Sequence, residues 1–153
     1  MKQFARALVV VLTAVVALFT TGCHTVSPAT VVDSTRLRAS KQIYVVVSTN
    51  KDRGFRKEIE RNLTARGFTV SSGSMDRMSA AEELYLIYDD RWKWDMVMYP
   101  GKVNIAIYDA KTKEQLGSAE FRNSMFHTYP DPPEITDELL GRIFGEPEGN
   151  FMK

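Results

Sequence analysis

Residues 84–99 are the longest stretch of this chain that reads as extended backbone, and they constrain its fold more than any other segment. Leu84, Leu86, Tyr88, Asp90, Trp92, Trp94, Met96 and Met98 share one parity, and Tyr85, Ile87, Asp89, Arg91, Lys93, Asp95, Val97 and Tyr99 share the other. Side chains of a strand alternate between two faces. One parity is therefore mostly apolar, and the other carries most of the charges. Sixteen extended residues would span about 50 Å, more than a domain of this size holds comfortably. The segment must bend, and the polar stretch from Arg91 to Asp95 is the expected place.

How large that domain is depends on the other end of the chain. Of 153 residues, the first 22 contain 15 hydrophobic residues, the bases Lys2 and Arg6, and no acid. Residues 7–19 form an apolar run broken only by Thr13, and Thr20, Thr21 and Gly22 follow. A basic start, a short apolar run and a small-residue zone are the parts of a bacterial secretory signal. The uncharged span of 16 residues is shorter than the roughly 20 that cross a bilayer as a helix. After this leader 131 residues remain, with 18 bases against 19 acids. That is one near-neutral soluble domain, without the basic excess that nucleic-acid binding needs.

The leader ends at Cys23, the only cysteine of the chain. A single thiol excludes an internal disulfide and a Cys-rich zinc site. Thr21, Gly22 and Cys23 resemble the lipobox of bacterial lipoprotein precursors, in which small residues precede a cysteine that is lipidated and becomes the new N-terminus. Thr20 stands where that motif prefers leucine, with Leu18 and Phe19 just upstream. The resemblance implies a lipid-bearing Cys23, and two or more acyl chains make a stable anchor. It also implies the outer membrane, because His24 occupies the position where aspartate would signal inner-membrane retention. Residues 23–41, rich in Thr, Ser, Pro and Ala and without sustained periodicity, read as a tether between lipid and domain.

The domain itself is expected over 42–147, with 148–153 as a tail. Ile43, Tyr44, Val45, Val46 and Val47 make a buried strand. Phe55, Ile59 and Leu63 give residues 52–66 an amphipathic helix that Gly67 stops, and Phe68 and Val70 open a short second strand. Strand, helix and strand with short joins suggest a right-handed parallel unit. Val103, Ile105 and Ile107 alternate, a polar turn follows from Asp109 to Glu114, and 116–121 returns as a hairpin. Ile135, Leu139, Leu140, Ile143 and Phe144 then form a closing helix, stopped by Gly145. The order β-α-β-β-β-β-α predicts an α+β two-layer sandwich, one mixed sheet with two helices packed against it.

The distinctive motif lies inside the long strand. Asp90, Trp92, Trp94, Asp95, Met98 and Tyr99 make a D-x-W-x-W-D-x-x-M-Y pattern. With the following strand and turn it resembles small uncharacterised lipoproteins of Gram-negative bacteria, which implies a location and a fold type but no reaction. The element order is similar to that of the N-terminal domain of the periplasmic protein TolB, a likeness of fold only. Three readings of the motif stay open. Large aromatics fill space between sheet and helix. Trp92 and Trp94 with Asp90 wall a groove that stacks sugar rings. Or the patch docks a protein.

Other chemistry is sparse. His24 and His127, the only histidines, have no ligand partners at metal spacing, and no G-x-S-x-G, H-E-x-x-H or phosphate-loop motif occurs. Asp89, Asp90 and Asp95 would have to supply any carboxylate pair for glycoside hydrolysis, yet Asp89 and Asp90 point to opposite faces of a regular strand. The expectation is an outer-membrane lipoprotein with a non-catalytic periplasmic domain, a binding or accessory module of the envelope with no cofactor or metal. Its partners would be the membrane through Cys23 and an envelope protein or cell-wall glycan. The alternative is a glycan-binding or glycan-hydrolysing protein using Trp92, Trp94, Asp90 and Asp95, and a third possibility is an assembly subunit docking through an open sheet edge.

Overall fold

A computed structural model describes residues 25–47, 53–123 and 129–146. Residues 1–22, expected to be a leader, and Cys23, His24, His127 and residues 148–153, expected to be a tail, lie outside the described residues. The elements are β1 (Thr25–Val31), α1 (Ser34–Ala39), β2 (Gln42–Val46), α2 (Phe55–Ala65), β3 (Thr69–Gly73), a 3-10 turn (Met75–Arg77), β4 (Leu84–Asp95), β5 (Val97–Asp109), β6 (Gln115–Arg122) and α3 (Pro132–Phe144). The six strands form one mixed sheet in the order β1-β6-β5-β4-β2-β3. Strand β2 is parallel to both β3 and β4, as expected of the strand-helix-strand unit, and the remaining pairs are antiparallel. The α+β sandwich is therefore the architecture of this chain.

The helices cover one face of the sheet. Ile43 and Val45 from β2, Leu84 and Leu86 from β4, Val103, Ile105 and Ile107 from β5, and Ala119 and Phe121 from β6 point into the same core. Phe55, Ile59 and Leu63 of α2 and Ile135, Leu139, Leu140 and Ile143 of α3 close it from above. Burial of some twenty apolar side chains in one cluster is the main force holding the layers together. The helix boundaries follow local chemistry. Asp131 caps α3 by accepting from Glu134 N at 3.1 Å, proline occupies the first turn, and Gly145 ends the helix at φ 69°. Gly117 lies directly under α3: a Cβ there would sit 2.9 Å from Ile143 Cγ2 and 3.4 Å from Leu37 Cδ1.

Two expectations require correction. Residues 25–39, read as part of a tether, are a strand and a helix, so three helices pack on the sheet rather than two. Strand β1 is recruited by main-chain pairing to the free edge of β6, from Thr25↔Arg122 to Val31↔Gly117, which leaves little trace in side-chain composition. Helix α1 is too short to show periodicity. It docks by the fully buried Leu37 and by an ion pair of 2.6 Å from Arg36 to Asp109.

The second correction concerns residues 84–99, which do not form one bent strand. They are β4 and the start of β5, joined at Met96, whose φ of 61° makes the reversal between Asp95 and Val97. The antiparallel register keeps Trp94 opposite Met98 and Trp92 opposite Pro100, with an irregularity between Arg91 and Trp92. A hairpin solves the length problem that a bend was expected to solve.

Candidate functional site

The tip of the β4–β5 hairpin collects the motif residues and projects beyond the sheet. Arg91, Lys102, Arg122 and Thr25 lie in one row across β4, β5, β6 and β1. Past that row, among the described strands, only the hairpin continues, with four residues of β4 (Trp92 to Asp95) and five of β5 (Val97 to Gly101), or about 13 Å. The base of this projection is braced on both faces. On the helix side Trp92 meets Phe55 edge-on, with ring centroids 6.0 Å apart, and the Arg53 guanidinium stands 5.4 Å over the indole. Trp92 Nε1 donates to Asp90 Oδ2 at 2.5 Å, two residues back on the same face. On the other side the buried Tyr99 packs edge-on against Tyr129 at 5.6 Å.

The motif therefore divides. Asp90, Trp92 and Tyr99 build the hairpin's foundation, and Trp94 and Met98 stand clear of it with 71% and 43% of their surface exposed. Between them Met96, 87% exposed, and Val97, 51% exposed, complete an apolar tip. The motif pattern omits Met96 and Val97. The signal that would have found them is an apolar turn where hairpins usually carry Asn or Gly.

The carboxylates do not converge. Asp90 and Asp95 lie an odd number of residues apart on one strand and so face opposite sides of the sheet. Asp89 and Asp95 share a face but lie six residues apart, about 20 Å along the strand. A glycosidase pair needs about 5–9.5 Å. Asp89 instead meets Arg91 at 3.4 Å. Trp92 and Trp94 share a face, but Trp92 spends its ring on Phe55 and Arg53, which leaves Trp94 as the exposed stacking surface.

Behind the tip, on the face away from the helices, Arg91, Lys93, Gly101, Lys102, Arg122 and Asn123 line a hollow of about 390 Å³. The Lys93 stem lies over Gly101, where a Cβ would come within 2.8 Å of its Cγ. Glu120 ties two of the bases: Lys102 Nζ stands 2.7 Å from it, and Arg122 Nε makes a short contact. Hydrogen bonds from Lys102 and then Arg122 hold the Glu120 carboxyl below the ordinary glutamate range, so it stays ionised. Four bases meet three acids on this face, Asp89, Asp95 and Glu120, and the hollow is only mildly positive.

A second cavity of about 340 Å³ lies between α1 and the ends of α2 and α3, lined by Arg38, Phe68 and Phe144 among others. Beside it Arg66 joins the helices. It donates to both carboxylate oxygens of Glu146 at 2.8 Å and to Asp137 at 3.3 Å, and Asp137 also accepts from Asn62 at 3.0 Å. These groups are committed to one another and are structural. Among the described residues no cluster of His, Cys, Asp or Glu is placed to hold a metal ion, and no helix is long and apolar enough to cross a membrane.

No family model and no curated protein matches the sequence. Among solved structures, the PelC dodecamer from Paraburkholderia phytofirmans is similar, with a TM-score of 0.55 and 16% identity over 79% of this chain and 94% of that one. A single-substitution variant of the same dodecamer superposes at a TM-score of 0.49 with 14% identity, over 80% and 95% of the two chains. At this identity the likeness shows that the chain shares the fold of the PelC subunit.

Proposed function

We propose that this protein is an outer-membrane lipoprotein whose domain faces the periplasm and serves as a non-catalytic binding or accessory module of the envelope. The observation that carries the reading is the sole cysteine, Cys23, placed at the end of a secretory leader. The structure supports it indirectly. Strand β1 includes Thr25, two positions after Cys23, so a lipid on Cys23 would hold the domain close to the bilayer. The non-catalytic part is supported by the scatter of Asp89, Asp90 and Asp95 over both faces and some 20 Å.

The test is palmitate labelling of the full chain in a Gram-negative host, followed by separation of inner and outer membranes. Label is expected in the outer-membrane fraction for the wild type and absent for Cys23→Ser. Equal labelling of the two would overturn the anchor. The description of PelC as a dodecamer makes oligomeric state the first solution property to measure. Among the described residues β1 and β3 are the edge strands of the sheet, and their outer main-chain groups are where copies or other envelope proteins would pair.

A further inference from the structure

We propose that the β4–β5 hairpin tip is a second membrane contact, in which Trp94, Met96, Val97 and Met98 enter the interfacial layer of the bilayer that holds the lipid on Cys23. This rests on the anchored reading above for the identity of that bilayer, and on independent geometry for the contact itself.

Three observations converge. The first is the tip's composition. Four large apolar side chains within five residues stand exposed at the end of a projection, and tryptophan favours the headgroup level of membranes. Met96 holds a left-handed backbone conformation that disfavours every residue with a side chain except Asn and Asp, in a turn where Gly or Asn would be more stable. A long apolar side chain is kept at the apex despite that cost.

The second observation is direction. Thr25, the first residue of β1, pairs with Arg122 at the end of the sheet from which the hairpin projects, and β1 runs away from that end. Thr25 therefore stands at the end of the sheet nearest the tip. Only His24 lies between Cys23 and Thr25, and two residue steps reach at most about 7 Å. The hairpin extends about 13 Å past the same row. With acyl chains seated in the bilayer, the tip lies as near the membrane as Cys23 itself, and apolar elements typically bury about 5–10 Å into the headgroup boundary.

The third observation is the collar. Arg91, Lys93, Lys102 and Arg122 sit immediately behind the tip, at the level where lipid phosphates would lie once the tip is in. With Asp89, Asp95 and Glu120 on the same face, the collar adds little net attraction. Apolar insertion carries the contact, and salt will not reverse it.

The chain has two tryptophans, so fluorescence separates their roles. The acylated full-length protein is reconstituted into vesicles of phosphatidylethanolamine and phosphatidylglycerol, with and without lipids brominated on the acyl chain. Brominated lipid is expected to quench wild-type emission, and Trp94→Phe, which keeps only Trp92, is expected to lose at least about half of that quenching. Met96→Asp should weaken it without altering the fold, since the side chain is exposed. Unchanged quenching in Trp94→Phe, or wild-type Trp94 open to acrylamide and untouched by brominated lipid, would overturn the proposal. So would protection from both quenchers, which would place a protein, including a second copy of the chain, on the tip. Palmitate label with an unquenched Trp94 keeps the anchor and sinks the tip. A quenched Trp94 in unlabelled protein keeps the tip and sinks the anchor.

Discussion

Truncating Leu37 to alanine removes three carbons from a side chain with no solvent exposure, on a helix of six residues. At about 0.8 kcal/mol for each buried methylene, transfer alone costs about 2.4 kcal/mol, and the unfilled space beside Gly117 and Ile143 raises the expectation to about 3 kcal/mol. For a domain of this size that is a fall in Tm of about 10 °C. The assay is urea unfolding of a soluble form beginning at Thr25, followed by circular dichroism and tryptophan emission, with the exposed Val32→Ala as control within about 0.5 kcal/mol. The pair Leu37 and Gly117 adds an internal check. Gly117→Ala overpacks the contact with Ile143 and Leu37, and Leu37→Ala relieves part of that crowding, so the double variant should be less destabilised than the sum. A loss below about 1 kcal/mol for Leu37→Ala, with strict additivity, would mean that α1 is not docked in the core and that residues 25–39 are a tether after all.

Four further outcomes follow from the same geometry. Asp109 accepts from Thr112 N at 2.7 Å and Lys111 N at 2.9 Å; these bonds, led by Thr112 and reinforced by Arg36, hold its carboxyl below the ordinary aspartate range against the cost of burial. Its stabilisation is therefore complete above about pH 4 and drains as pH falls through the lower folded value, so the stability gap between wild type and Asp109→Asn should be widest near neutrality and close in acid. Arg66→Met strands the buried Asp137 and should cost about 3 kcal/mol, read by denaturation, with the loss partly restored by Asp137→Asn. Thr136 buries its hydroxyl fully without a hydrogen-bond partner among the described residues, and Thr136→Val should raise stability by about 1 kcal/mol in the same assay. Trp92→Ala should cost about 2 kcal/mol through its lost contact with Phe55, whereas Trp94→Ser should change stability by less than about 0.5 kcal/mol.

Much of the fold was legible in the sequence from Gln42 onward because each element carries its own periodic signal. Phe55, Ile59 and Leu63 mark a helix face, Val103, Ile105 and Ile107 mark a strand face, and the glycines at 67 and 145 mark helix ends through left-handed backbone. The order of the seven elements after α1 follows from those signals. Misreading 84–99 as one strand has a simple cause. Alternation continues through a hairpin whose two arms pair in register, so parity is silent about the reversal at Met96, where no Gly or Asn announces a turn.

By itself, the sequence determined what is local: the apolar run over residues 7–19, the single cysteine that follows it, the α+β class and the gathering of both tryptophans into one segment. Only the tertiary structure decided what depends on partners distant in the chain. Strand β1 exists because β6 leaves main-chain donors and acceptors unpaired along an edge, and α1 exists because Leu37 finds a vacancy above Gly117. The two tryptophans, indistinguishable by parity, separate because Phe55 arrives over one and nothing in the described structure covers the other. The physical reason is the same in each case. Periodicity reports which face of an element is apolar, but burial requires a second surface, and that surface is supplied by the fold.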